Sequence, residues 1–424
     1  MTTRRHILKG LGGLAIAPFF LRSMSAQAAG SDGILVSIQL AGGNDGLNTV
    51  VPLGQYRTYQ ALRRPTAPPS PEAALDIPLA NLAATAFDAN PSVPASAAHA
   101  YAFNPVMGAM RQLYATGHLA VVAGVGLPLD EAASLDHEVG QYDWQTGTIN
   151  SITAGRPGWL ATTLDGIGAT GPLGSMISVS GDLPLLLSDR ATQALVLPTP
   201  IDNFGISTGG GDDQDQLLQT YQQILALPPT NPVEAYSRAV ATGAGALANG
   251  VQDIASAVSG SDYPAPQSDL DQQLQQIARL IIGGAGARAY FAAQDGYDTH
   301  SAQNPTQVGL LGDLSTALHN FYTYLRAHGA SSKVVVATFS DFGRRPYANL
   351  DFGTDHGAAS VCFVLGDRVH GGVYGRYPDL TKLDENGNLA MQVDFRNVIS
   401  DLITFMGGNP TAVLGATLPR LGFV

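Results

Sequence analysis

Residues 34–48 read ILVSIQLAGGNDGLN, a continuous apolar run that ends in a glycine-rich turn. Five further apolar runs follow along the chain, at 118–124, 176–180, 287–293, 333–339 and 360–366. Because their apolarity is continuous rather than alternating, each strand is expected to be buried on both faces, as in a parallel sheet. The sequence therefore predicts a mostly parallel central sheet.

Helical patterns with clear boundaries lie between these runs. One helix is predicted from Asn104 to Gly117 and another from Asn304 to Gly329, because each segment opens with Asn-Pro and ends at glycine. Residues 217–258 are rich in Ala and Gln with helical spacing, and they predict an inserted helical subdomain. The alternation of strands and helices indicates an α/β fold in which helices flank the sheet.

The composition is that of a folded, acidic protein. Of the 424 residues, 45% are hydrophobic and 13% are charged, which is enough to bury a large core. A formal charge of −12 repels nucleic acid, so no nucleic-acid partner is expected. No apolar run reaches the roughly 18 residues of a membrane-spanning helix. The only cysteine, Cys362, lies in an apolar run and is expected to pack in the core.

The N-terminal segment has the features of an export signal. MTTRRHILKG places a twin arginine before the apolar stretch 10–21, and Ala26-Gln-Ala28 forms a small-residue cleavage site. Residues 1–28 are therefore predicted to be a twin-arginine signal peptide, which leaves the folded domain at 29–424. We expect the mature protein to pass through the twin-arginine export machinery, to lie in the periplasm or outside the cell, and to have no integral membrane span after cleavage.

Acidic and imidazole side chains follow several of the predicted strands, where open α/β sheets bind their ligands. The candidates are Asp45, Asp295, Asp298, His300, Asp341, Asp355, His356 and His370. Each alone has an ordinary explanation, such as a tight turn or a solvated loop, but together they would meet at one edge of the sheet. Mixed Asp and His donors suit Zn²⁺ or Mn²⁺, and Mg²⁺ where oxygen predominates. One or two divalent metal ions are therefore expected.

A strongly acidic chain binds a negatively charged ester only where the local field is inverted. Divalent ions do this while they polarise the ester and activate an attacking oxygen. Arg344 and Arg345, beside Asp341, are candidates for a bidentate anion contact, with pairing to surface carboxylates or capping of carbonyls as the other explanation.

Taken together, these motifs resemble a large bacterial family of exported proteins, domain of unknown function 1501. The matching segments are the twin-arginine leader, LAGGNDGLNTVVP, YDTHSAQ, SDFGRRP, TDHG and HGGVYG, in the same order over nearly the whole mature chain. The family is similar in fold to the alkaline phosphatase and sulfatase superfamily, whose members hold one or two divalent metals at the carboxyl ends of a central sheet. An alkaline phosphatase-like fold is therefore expected.

The resemblance also implies roles for individual residues. The implied metal ligands are Asp45, Asp298, His300, Asp341 and His356. Asn44 and Asn48 would then steady the first ligand loop or touch the anion.

One position departs from the family pattern. Many members have Ser-His at the start of a helix where the superfamily nucleophile is sought, but here SLDHEVGQYDWQTG puts His137 on the histidine and Asp136 on the serine. Ser134 lies two residues too early. Asp136 cannot make the usual alkoxide attack. It could instead be a further metal ligand, a base for a metal-bound water, an aspartyl nucleophile or a helix N-cap. Asp136 and His137 are the catalytic candidates.

Two functions are open at this point. The first is an exported metal-dependent hydrolase of phosphate or sulfate esters, with an altered nucleophile and a small anionic ester as its substrate. The second is a non-catalytic exported binding or envelope-assembly protein, with a degenerate metal site and an envelope component as its partner. A dinucleotide-dependent oxidoreductase is disfavoured, because AGGNDG lacks the glycine spacing of a dinucleotide-binding turn.

Overall fold

The computed structural model describes residues 32–64, 74–91, 100–129, 134–150, 152, 155–189, 194–201, 212–258 and 260–424. The predicted signal peptide lies outside the described residues. The strands are β1 (Ile34–Leu40), β2 (Val50–Pro52), β3 (Ala86–Phe87), β4 (Tyr101–Phe103), β5 (Leu119–Gly126), β6 (Met176–Ser178), β7 (Leu195–Val196), β8 (Ala289–Gln294), β9 (Val334–Ser340), β10 (Gly343–Arg344), β11 (His356–Gly357), β12 (Ala359–Leu365), β13 (Gly372–Gly375) and β14 (Val393–Asp394).

In the described part of the chain, nine strands form one large sheet. Their order is β13-β5-β12-β9-β1-β8-β6-β7, and β14 also pairs with β5. The pairings in this sheet are parallel except those of β12, which runs antiparallel to β5 and β9. The predicted mostly parallel sheet is confirmed, and all six of the predicted apolar runs supply strands to it. Two small sheets, β2-β4-β3 and β10-β11, lie outside it.

The α-helices are α1 (Gly46–Thr49), α2 (Tyr56–Leu62), α3 (Leu79–Leu82), α4 (Gly108–Ala115), α5 (His137–Thr146), α6 (Trp159–Gly166), α7 (Asp212–Ala226), α8 (Pro232–Ala257), α9 (Asp269–Ile282), α10 (Gln303–Ala327), α11 (Phe395–Phe405) and α12 (Pro410–Leu414). Helices α7 and α8 occupy most of the segment that the sequence predicts to be helical, and α7 begins five residues earlier, at Asp212.

The predicted starts of α4 and α10 are wrong by a few residues, and both expected cap residues also make tertiary contacts. The side-chain amide of Asn104 donates to the carbonyl oxygen of Asn48 at 2.9 Å, and α4 begins only at Gly108. Asn304 donates to a backbone carbonyl of the segment before α3, and α10 has already begun at Gln303. The Oδ1 of Asn104 still accepts from the backbone N–H of Val106, as a cap residue does, but the chain makes a turn there before α4 begins.

The central sheet is buried on both faces, which explains the continuous apolar runs. Alternate residues of β1 point to opposite sides: Val36 and Ile38 join a cluster with apolar residues of α4, α9 and α10, whereas Leu35 joins a second cluster with residues of α6 and α11. All eight residues of β5 are buried. Burying an aliphatic side chain contributes about 1.5–3 kcal/mol, so these strands supply much of the stability of the core.

Strand direction decides which loops meet. Because β1, β8 and β9 are parallel, the loops that follow them lie at the same edge of the sheet. Strand β12 runs the other way, so the residues that precede it, including β11, arrive at that same edge. Within the described residues, no helix has both the length and the apolarity needed to cross a bilayer.

Candidate metal centre

The glycine-rich turn after β1 allows three loops to meet. Gly42 and Gly43 have positive φ angles of 116° and 83°. A Cβ atom on Gly42 would lie 2.3 Å from the backbone nitrogen of Asp298, and one on Gly43 would lie 2.6 Å from the ring of Phe342. Because no side chain fits at either position, the two glycines let the loops after β8 and β9 pack directly against the loop after β1.

Asp45, the first of the implied metal ligands, is buried and engaged by protein donors. Arg63 donates to both carboxylate oxygens, at 2.7 and 2.5 Å, and neither side chain is more than 1% exposed. Gln303 donates to Oδ2, and the backbone N–H of Leu47 donates to Oδ1 at the start of α1. The structure therefore places Asp45 in an internal ion pair and does not bring it together with the histidines.

The two asparagines of the same loop are also held by protein groups. Asn44 Oδ1 accepts a hydrogen bond from the hydroxyl of Thr49 at 2.9 Å. Asn48 donates to the carbonyl oxygen of Leu75 and accepts from the hydroxyl of Tyr59. Both asparagines are buried, so these contacts steady the loop and neither side chain faces the solvent from which an anion would arrive.

Helix α5 brings His137 to the edge where the loops meet. Asp136 is the N-cap of the helix, because its Oδ1 accepts from the backbone N–H groups of Glu138 and Val139 at 3.0 and 3.3 Å. Gly140 lies against the end of β9, where a Cβ atom would be 2.6 Å from the carbonyl oxygen of Asp341. This close approach puts His137 Nδ1 2.9 Å from Asp341 Oδ2.

Asp341 is completely buried and orients His137. Its Oδ2 also accepts from the backbone N–H of Gly42 at 2.9 Å and from the side chain of Gln141 at 3.2 Å. Since a carboxylate accepts, His137 carries its proton on Nδ1 and has a lone pair on Nε2. That Nε2 is buried and has no hydrogen-bond partner within the described ranges. Asp341 thus contacts a histidine and does not face the open side of the site.

The other two histidines are oriented in the same way. His356 Nδ1 lies 2.7 Å from the carbonyl oxygen of Leu135, which can only accept. His300 Nδ1 lies 3.3 Å from Asp355 Oδ1. Each ring therefore holds a proton on Nδ1 and turns Nε2 toward the other, and the two Nε2 atoms are 2.9 Å apart. In this tautomer the two lone pairs need a metal ion or a proton between them; a proton on one Nε2 would be donated to the other ring or to Oδ1 of Asp298.

Asp298 lies where the three rings meet. Its Oδ1 is 3.2 Å from His300 Nε2 and 3.3 Å from His356 Nε2, and its Oδ2 is 3.5 Å from His137 Nε2. One ligand atom from each of His137, Asp298 and His356 lies within 4.8 Å of the other two. Donors bound to one Zn²⁺ at about 2.0–2.1 Å in a tetrahedron lie about 3.3 Å apart. The separations among His137, Asp298 and His356 therefore fit donors of one ion, and His300 adjoins this group through Asp298 and His356.

Asp298 and His356 have the charge states that a cation site needs. Burial works to raise the pKa of Asp298, but the hydrogen bond and positive charge of Arg344 outweigh it and leave that pKa below its usual value. Burial lowers the pKa of His356, and its hydrogen bond to the carbonyl of Leu135 only partly opposes this effect. At neutral pH the carboxylate is therefore ionised and the imidazole is neutral, so both can donate electron pairs to a metal.

The cluster formed by His137, Asp298, His300 and His356 is open to solvent on one side. The side chains of Asp298 and His300 are 47% and 44% exposed, whereas Phe342 packs under the rings of His137 and His356. A metal ion held here would keep a coordination position for water or a substrate, as catalytic sites do and closed structural sites do not. The donor set, its orientation and its exposure all fit a divalent ion.

Arg344, predicted to contact an anion, is bonded to protein oxygens. Its side chain is 0% exposed, and its nitrogens donate to four backbone carbonyl oxygens and to Asp298 Oδ1. An anion in solvent cannot reach this guanidinium. The neighbouring Arg345 uses its backbone N–H to bind the carbonyl oxygen of Asp355.

Sequence reasoning missed several contributors to this site. His137 was predicted as a catalytic group, not as a donor to the cluster. Asp355 was a candidate in the sequence but had no role, although its place beside a histidine in FGTDHG was a usable signal. No sequence signal points to Arg63, which lies in a proline-rich segment, or to the backbone carbonyl of Leu135.

Among curated proteins, no sequence matches the chain. The chain is similar to solved structures that include Ps i-CgsB in complex with k-i-k-neocarrahexaose, with 10% identity, coverage of 91% of this chain and 73% of that chain, and a TM-score of 0.39. The chain is also similar to the C-terminal periplasmic domain of EcEptC from Escherichia coli in complex with Zn, with 8% identity, coverage of 94% of this chain and 86% of that chain, and a TM-score of 0.36. For alkaline phosphatase from the Antarctic bacterium TAB5, the identity is 8%, the coverage is 81% of this chain and 95% of that chain, and the TM-score is 0.32. At such identities and scores, nothing about activity follows.

A family model matches residues 34–418, and its description is Protein of unknown function (DUF1501). The match includes every motif of the mature chain on which the resemblance was based, from the glycine-rich turn to HGGVYG. The predicted family is therefore confirmed, and the chain belongs to the DUF1501 family.

Proposed function

We propose that the mature chain is an exported, metal-dependent hydrolase of phosphate or sulfate esters. The observation that carries this proposal is the convergence of three Nε2 lone pairs, each set by an acceptor on the far ring nitrogen, on one ionised carboxylate. The proposed ligands are His137, Asp298, His300 and His356. This set takes in His137 and leaves out two carboxylates that the family resemblance implies, Asp45 and Asp341.

The donor set favours Zn²⁺ among the expected ions. Three of the four proposed donors are imidazole nitrogens, and such mixed nitrogen and oxygen sites suit Zn²⁺ first and Mn²⁺ next. Mg²⁺ prefers oxygen ligands and keeps several waters, so it fits this cluster least well.

The residues of the chain orient the site and accept a proton. When bound, a divalent ion would polarise the ester and lower the pKa of an attacking water. Asp341 and Asp355 hold the Nδ1 protons of His137 and His300, which fixes both rings. Asp136 uses Oδ1 to cap α5 and is exposed. Its other oxygen is therefore available, in this proposal, for the proton that the water loses.

A specific observation favours the alternative, an exported binding or envelope-assembly protein. Arg344 and Arg63 are both buried, so neither guanidinium can bind an anionic ester. In the described parts of the chain, no serine or threonine hydroxyl is hydrogen-bonded to the proposed ligands. A protein that uses its metal to bind an envelope component needs neither an anion clamp nor a nucleophile.

Metal analysis combined with an ester panel tests the proposal. Mature protein is purified without chelators, and its metal is measured by mass spectrometry together with turnover of aryl phosphates and aryl sulfates. We expect bound metal and turnover in the parent protein, and loss of both in His356→Ala. The matched control is His370→Ala, because His370 lies away from the cluster, near the carbonyl oxygen of Gly422. Metal without turnover would favour the binding protein, and no bound metal would contradict the metal-dependent hydrolase and the assigned metal site.

A further inference from the structure

Arg344 lies beside the proposed metal ligands inside a cage of oxygen atoms. Its acceptors are the carbonyl oxygens of Gly42, Gly43, Tyr297 and Thr354 and Oδ1 of Asp298. Apart from the contact with Gly42, the donor-to-acceptor distances are 2.5–3.0 Å. The cage is assembled from the loop after β1, the loop after β8 and the segment before β11, which are distant in sequence.

An oxygen cage of this composition is the kind of environment that binds cations. Backbone carbonyls and a carboxylate are the ligands that hard divalent ions take from proteins. Here the cage contains a guanidinium, whose planar fork matches several acceptors at once. The place beside the proposed ion that could hold a second metal is therefore taken by a side chain of the protein itself.

The charges around the cluster point the same way. Asp298 contacts the donor nitrogens directly, and Asp341 and Asp355 bind the far nitrogens of His137 and His300. Metal-bound imidazoles are neutral. Among the groups that contact the imidazoles or Asp298, three carboxylates and the guanidinium of Arg344 therefore leave two negative charges. One divalent ion neutralises the cluster, whereas a second would leave two uncompensated positive charges in a partly buried site, which is unfavourable.

We propose that Arg344 is a permanent second cation of this centre, which positions Asp298 and limits the site to one divalent metal ion. This inference rests on the proposed metal site and goes beyond it, because the sequence leaves one or two ions open. Arg344 acts through Asp298: its hydrogen bond to Oδ1 keeps the carboxylate turned toward His300 and His356.

Counting bound ions tests the limit without any variant. Metal-free mature protein is titrated with Co²⁺, and the bound metal is measured after removal of the excess. We expect the signal to saturate at one Co²⁺ per chain, even with a tenfold excess of metal. Two tightly bound ions per chain would overturn the inference and leave the proposed function standing. No bound ion would overturn both, so the two failures are distinguishable.

A pair of neighbouring arginines tests the positioning role. Arg344→Met frees Asp298 and should weaken Co²⁺ binding at least tenfold and reduce the visible absorption that tetrahedral Co²⁺ gives. Arg345→Met is the matched control, because its side chain makes no bond to the cluster in the described ranges, and it should keep the parent spectrum. If Arg344→Met retains the spectrum and the affinity, Arg344 does not position Asp298. If that variant does not fold, Arg344→Lys, which keeps the charge but cannot reach all the acceptors, serves in its place, with the same spectral loss expected.

Discussion

Replacement of Asp45 separates a structural role from metal binding. In Asp45→Asn the charge of Arg63 would remain buried without its partner, since both side chains are at most 1% exposed and share hydrogen bonds of 2.7 and 2.5 Å. Removing one member of a buried ion pair costs about 3–5 kcal/mol. This is a large part of the roughly 5–15 kcal/mol of a typical folded protein. We therefore expect a large loss of stability and an unchanged number of bound metal ions.

The assay is equilibrium urea unfolding of the metal-free protein, because a bound ion would itself stabilise the folded state. Metal stoichiometry is measured separately, well below the unfolding midpoint. Arg64→Met is the control: Arg64 also pairs with a carboxylate, that of Asp76, but its side chain is 55% exposed. The Asp76 carboxylate is itself only 1% exposed, but it also accepts from Gln60, so it keeps a hydrogen-bond partner when Arg64 is replaced, and a smaller loss of stability than in Asp45→Asn is expected. A double variant, Asp45→Asn with Arg63→Met, should cost less than the sum of the single variants.

The structural role of Asp45 is refuted if the Asp45→Asn variant, measured without metal, is as stable as the parent protein and if the same variant binds no metal in the separate stoichiometry measurement. That result would mean that the ion pair with Arg63 gives way to metal coordination, as the family resemblance implies for Asp45. A stable variant with unchanged metal would instead show that the buried pair contributes little net free energy, as some buried ion pairs do.

Three further predictions concern the groups behind the cluster. Asp341→Asn should weaken metal binding by about 10–100-fold, because it removes the carboxylate that orients His137, and competition with a chromophoric chelator measures this; unchanged affinity would contradict the assigned role. Asp136→Asn should keep the helix cap and lose turnover. Asp136→Ala should lose turnover and also about 0.5–2 kcal/mol of stability, because it removes the cap. Full activity of the Asn variant would exclude Asp136 as the base. Gly140→Ala should cost about 1–3 kcal/mol in urea unfolding, since its Cβ would be 2.6 Å from a backbone oxygen; a neutral effect would show that α5 can move away from β9.

The sheet could be predicted from the sequence because burial on both faces leaves a local signature. Every residue of β9 and β12 is buried, and the sequence shows this as mostly apolar runs without a charged residue. Helix starts were less predictable. Asn104 and Asn304 have the right local chemistry for caps, and Asn104 does accept from the backbone N–H of Val106, but α4 begins only at Gly108 and α10 has already begun at Gln303. Local preference located each helix to within a few residues but not its first residue.

The candidate site divides in a similar way. The order of motifs along the chain was enough to predict that Asp298, His300 and His356 approach one edge of the sheet, since all three lie next to strand ends. The antiparallel direction of β12 was not predicted, although it is what brings His356 to this edge from the segment before that strand. The third imidazole arrives from α5, which is separated from the other two by more than 150 residues.

The amino-acid sequence alone determined the α/β architecture, the family and the edge of the sheet where polar side chains collect, because burial and turn formation depend on residues that are near one another along the chain. Only the tertiary structure decided what each carboxylate does. Asp45 pairs with Arg63, Asp341 supports a histidine, and Asp298 meets the three imidazole Nε2 atoms. The physical reason is that ionic contacts and ring orientation are set over about 3 Å, between groups whose distance along the chain carries no information about their distance in space.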